Sequence, residues 1–174
     1  MSKKNNLIRI FFVILMFASI APNIEVLAET TNMDTVVLST TEILSISLDV
    51  VDDNVKSGNF DQAKQLTKEN SEFFSLQVLT LRESNSEITD EIHILLLDMH
   101  NEIKPGNENL VSDNIATIKN LLKQFEINSP DYAMASAVIL TIVDEQYQLA
   151  NKNGEDYRYE VSEKLLDRVI VLFE

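Results

Sequence analysis

Residues 35–57 read TVVLSTTEILSISLDVVDDNVKS. Val37, Thr41, Leu44, Leu48, Val51 and Val55 recur there at alternating intervals of four and three, which keeps them on one side of an α-helix. Ile43, Ile46 and Val50 widen that apolar side, so the helix is expected to touch neighbours on two sides. Gly58 follows as a C-terminal cap, because the left-handed turn that closes a helix suits glycine. Few strand signals occur. There is no Asn-Gly hairpin between alternating segments and little two-residue periodicity.

The same reading extends along the chain. A second helix is expected over 59–82, with Asn59 and Gln62 in a capping-box arrangement. Ala63, Leu66, Phe73, Phe74, Leu76, Leu79 and Leu81 form its inward side. Ser84-Asn85-Ser86 is a polar break. A third helix over 89–104 carries Ile88, Ile92, Leu95, Leu96, Met99 and Ile103 inward, and Pro105-Gly106 stops it, since a residue before proline resists helical geometry. A fourth over 109–125 has the cleanest stripe: Val111, Ile115, Ile118, Leu122 and Phe125.

Ser129-Pro130-Asp131 reads as an N-cap, a first-turn proline and an acid at the positive end of the dipole. A fifth helix follows through Ala135, Val138, Ile139, Ile142 and Leu149 to Asn153-Gly154. A sixth over 156–173 buries Val161, Leu165, Val169 and Leu172. Short connections make successive helices antiparallel neighbours. The expected fold class is all-α: an antiparallel bundle of about six helices, with a four-helix unit over 35–127 and a C-terminal helical hairpin over 130–173. Residues 35–174 form a single domain, and 29–34 are expected to be loose.

Residues 1–28 have the form of a cleavable secretory signal. Lys3, Lys4 and Arg9 precede a 12-residue apolar run, Ile10 to Ala21, and Val26-Leu27-Ala28 offers a peptidase site. A membrane-spanning helix needs roughly 20 apolar residues. The expected location is therefore outside the cytoplasm: secreted, periplasmic or at the cell surface.

The full chain carries a net charge of −14. Removing Lys3, Lys4, Arg9 and Glu25 with the signal leaves 11 basic and 27 acidic residues, a net charge of −16. Such a surface repels phosphate backbones and anionic lipids, so neither nucleic acid nor a membrane is an expected partner. Cations and basic proteins are favoured. The chain has no cysteine, which excludes disulfides, thiolate metal sites and thiol nucleophiles.

Catalytic motifs are absent from the sequence. There is no G-x-S-x-G, S-x-x-K or glycine-rich phosphate loop, and no enzyme activity is expected. Phe73, Phe74, Phe125, Tyr132, Tyr147, Tyr157 and Tyr159 fall at helical positions and read as core or hairpin packing. The candidate metal ligands are His93, Asp98, His100 and Glu102 on the third helix, with Asp144 and Glu145 on the fifth. His93 and His100 are seven apart and share a helix face. The zinc-binding H-E-x-x-H spacing is missing, as is the Glu-x-x-His of di-iron bundles. A divalent cation held mainly by carboxylates between helices is the candidate ligand.

Gly58-Asn59-Phe60-Asp61-Gln62-Ala63 has the G-x-[FY]-x-x-A form found in tetratricopeptide repeats, but no 34-residue repeat follows. The same segment, with Leu81-Arg82 through Ile88 and Glu91-Ile92, resembles the extracytoplasmic helical domain associated with high-affinity iron permeases. Asp144-Glu145-Gln146-Tyr147-Gln148-Leu149-Ala150, Gly154 and Asp156-Tyr157-Arg158 are similar to that family's closing hairpin. The permease's membrane half and its R-E-G-L-E motif are missing. Arg82-Glu83-Ser84-Asn85-Ser86 does not match that motif. What the resemblance implies is a stand-alone exported accessory domain linked to metal uptake, without transport activity. The alternative is an envelope protein-interaction or structural module with an acidic docking face.

Overall fold

The computed structural model describes residues 32–173, which form helices joined by short connections with no strand among them. The signal segment expected over 1–28 lies outside the described residues. Five helices follow one another: α1 Met33–Lys56, α2 Phe60–Glu102, α3 Glu108–Leu122, α4 Tyr132–Asn153 and α5 Asp156–Leu172. No helix among the described residues is long and apolar enough to cross a membrane.

The central helix is α1, which packs against each of the other four. Val37, Leu44, Leu48, Val51 and Val55 are buried, and Ile43 and Val50 are buried beside them. Its two-sided apolarity is therefore consumed within the chain. The helix ends in a Schellman turn: Asn59 N–H bonds to Asn54 O at 2.8 Å and Gly58 N–H to Val55 O at 3.0 Å. Gly58 takes the positive φ of 78° that this turn requires. Met33 and Asp34 already belong to α1, so it opens two residues earlier than expected. The Asp34 carboxylate holds the α3–α4 connection by accepting from Ser129 N–H at 2.8 Å and Asn128 N–H at 3.2 Å.

The second and third expected helices form one element, α2, interrupted at Asn85 (φ −155°, ψ 104°). Lys64 and His100 nevertheless touch, 3.2 Å from backbone oxygen to imidazole. A straight helix would hold residues that far apart in sequence about 54 Å apart. The chain thus turns back at Asn85, and Arg82 pairs with Asp90 across the turn. The Asn85 side-chain oxygen accepts from Ile88 N–H at 3.1 Å, which makes Asn85 the N-cap of the second arm.

Three local expectations change. Asn59 occupies the N-cap position of α2, but its side chain makes no capping bond; its amide instead reaches the Asn54 side chain. The cap of α4 is Asp131, whose carboxylate accepts from Met134 N–H at 2.9 Å, so Ser129 and Pro130 stay outside the helix. Leu76 and Leu79, assigned inward, are exposed. Counted from buried Phe74 at 100° per residue, they point about 160° and 140° away from the core. Among the aromatics, Phe74, Phe125 and Tyr157 are core residues, Tyr147 and Tyr159 meet edge-to-face across the α4–α5 hairpin, and Tyr132 is exposed.

Candidate functional site

The four candidate ligands on α2 diverge. Both histidines turn into the seam between the arms, as residues seven apart on one helix face should. His93 is half-buried, tilted against the Phe74 ring and 3.3 Å from Ser75 Oγ. His100 Nδ1 donates to the Lys64 carbonyl. Asp98 faces outward and is exposed. Glu102 turns toward α3 and accepts from the Asn114 amide. On α4, Asp144 is exposed and accepts from Gln148 at 2.8 Å. Nowhere among the described residues do three histidine, aspartate or glutamate side chains converge as a metal ion would need.

Glu145 is close enough to Glu69 and Arg158 to feel both charges. Both carboxylates belong to a charged cluster built around Arg158 where α2, α4 and α5 meet. The Arg158 side chain is only 5% exposed. Its guanidinium grips Glu69 through two bonds of 3.0 and 2.6 Å, donates to Gln146 Oε1 at 2.8 Å and bonds Glu155 as well. It also stacks 5.1 Å from the centroid of the Tyr157 ring. Planar, two-pronged donation of this kind matches a carboxylate and orients it.

The cluster sets its own electrostatics. Burial opposes the Arg158 charge, but the bonds to Glu69 and Glu155 outweigh it and raise the guanidinium pKa further. The bond from Arg158 also holds Glu155 below the usual carboxylate range. Burial, and then repulsion from Glu69, pushes Glu145 up. Burial pushes the Tyr157 phenol up to about 12, so it stays neutral at physiological pH. Glu69 accepts both Arg158 prongs and, from its own helix, the Gln65 amide at 2.9 Å, so the cluster is an internal clamp joining three helices.

Sequence reasoning passed over Arg158 because it searched the inward stripes for apolar residues. A signal was present: Arg158 stands three and seven residues before Val161 and Leu165, on the same inward side of α5.

The second notable feature is the outer side of α2. Leu76, Leu79, Ile94 and Leu97 are 44%, 48%, 59% and 52% exposed. Ile94 and Leu97 lie about 160° and 100° from buried Leu96, the side toward which His93 and His100 turn to meet the first arm. The Ser75–His93 and Arg82–Asp90 contacts fix the same flank of the first arm, which also carries Leu76 and Leu79. The four apolar side chains therefore share one outward face across both arms. Exposed Glu87, Glu91 and Asp98 border it, with no cation partner among the described residues. No protein family, curated protein or solved structure matches this chain.

Proposed function

We propose that this protein is an exported, non-enzymatic binding module that docks a positively charged partner on its acidic outer surface. We take it to work as an antiparallel bundle of about six helices, counting the two arms of α2 separately. The reading rests on one observation above the others: Glu87, Glu91 and Asp98 stand exposed, with no cation partner among the described residues, beside large exposed apolar side chains. Surface carboxylates of this density attract basic ligands and repel nucleic acid and anionic lipid. The signal-like pattern of residues 1–28 supports an exported location. The resemblance to the iron permease-associated domain supports an accessory role rather than a catalytic one. The partner is accordingly a basic envelope or extracellular protein.

The test is a thermal melt of the purified protein, alone, with poly-L-lysine, and with iron, copper, zinc, manganese or calcium. A ligand at 100 times its Kd adds about 2.7 kcal/mol, a shift of several degrees in a domain of this size. The expected result is a rise with poly-L-lysine at low salt that disappears at high salt. A rise specific to one ion would reassign the protein to metal binding, the ligand class that the resemblance implies. No rise with any of these would contradict the binding-module reading.

A further inference from the structure

The proposed function leaves the partner's shape open, and the outer face of α2 narrows it. Four large aliphatic side chains exposed together on one face are more than a soluble surface carries by chance scatter. Their positions are ordered. The contact pairs Ser75–His93 and Arg82–Asp90 set the arms in opposite directions, so Leu97 and Ile94 lie level with residues just before Leu76 and Leu79. In the register of the Ser75–His93 pair, the four side chains step along the seam over about 12 Å, at 1.5 Å per residue. That length matches two to three turns of an α-helix. Two helical arms packed side by side leave a shallow groove that a third helix can enter with its own ridge.

Charge selects what enters. Glu87, Glu91 and Asp98 border the apolar strip, and the whole chain carries −14. A second copy would bring the same carboxylates against each other, which disfavours self-association. A helix with an apolar stripe and flanking lysines or arginines satisfies both features together. Resting on the binding-module reading, we infer that Leu76, Leu79, Ile94 and Leu97 form a docking strip for a basic amphipathic helix of a partner protein. Its apolar side chains sit on the strip and its cations reach the bordering carboxylates.

A second exposed apolar group, Leu140, Leu166 and Ile170 on α4 and α5, serves as the internal control. The probe is a fluorescein-labelled 18-residue helix of leucine and lysine in amphipathic order, titrated with the purified full chain and followed by anisotropy. The Ile94→Ser/Leu97→Ser double variant should lose at least tenfold in affinity, while Leu166→Ser/Ile170→Ser should match the wild type. A Glu87→Gln/Glu91→Gln/Asp98→Asn variant should bind more weakly and show a flatter salt dependence. All these positions are exposed, and melts of each variant verify that it folds. Equal loss in both serine variants, or loss in neither, would overturn the inference. Binding of poly-L-lysine as tight as that of the amphipathic helix would also overturn it while leaving the basic-partner reading intact. Failure of both probes would sink the proposed function itself. Concentration-dependent dimers abolished by Ile94→Ser/Leu97→Ser would identify a second copy as the occupant, against the inference.

Discussion

Arg158 shows how much one buried charge can organise. It has three hydrogen-bonding partners, drawn from α2, α4 and the start of α5, and its side chain is almost wholly out of water. Glu69 and Glu155 keep a quarter to a third of their exposure, which limits the loss when the cation is removed. Arg158→Leu should therefore destabilise the fold by about 2–3 kcal/mol at pH 7, below the full cost of breaking a wholly buried pair. Urea denaturation midpoints measure it. Glu145 behaves in the opposite sense. Its folded pKa is raised by burial and by Glu69, so the folded state prefers the protonated carboxyl. The stability that this preference confers is present below the unfolded pKa and lost as pH rises through the folded one. Glu145→Gln should accordingly stabilise the protein at pH 7, with the gain vanishing near about pH 3, where the wild-type carboxyl is protonated in both states. A gain that persists at low pH would show that packing, not charge, decides this position.

At the scale of elements, the hydrophobic stripes were largely legible. Every residue of the predicted α3 stripe, Val111 through Phe125, is buried, and so is the six-residue stripe of α1. These helices have neighbours on the sides where their apolar residues fall, so periodicity and packing agree. Leu76 and Leu79 were misassigned because periodicity locates apolar residues on a helix without saying which faces acquire a neighbour. Their exposure depends on where the second arm lies, and that is set at Asn85. Ser84-Asn85-Ser86 was legible as a break; its role as a cap was not, since the capping bond to Ile88 N–H forms only once the chain has turned. Asn85→Ala should cost about 1 kcal/mol, the usual loss on removing an N-cap side chain, and Asn85→Asp should recover most of it. Melting temperatures of the pair measure both. Asp131 replaces Ser129 as the α4 cap for a similar long-range reason. Asp34 and Thr35 of α1 accept the N–H groups of Asn128, Ser129 and Asp131, which holds this stretch extended against α1.

Across the whole molecule, ion pairs tie α1 to its neighbours: Lys119–Asp49 from α3, and Lys164–Asp53 and Arg168–Glu42 from α5. Most of the cations on α3 and α5 that face α1 are committed to these pairs. The surplus of acid is left outside, and on α2 it coincides with the exposed leucine and isoleucine strip. Composition alone revealed the surplus; only the hairpin at Asn85 joins the two halves of the strip. The most direct test is amide hydrogen exchange of the purified protein, with and without the leucine/lysine helix. Added protection concentrated in residues 72–98, with α4 and α5 unchanged, is the predicted result. Protection centred on Leu140 and Leu166, or spread evenly over the acidic surface, would contradict the assignment of this face as the docking site.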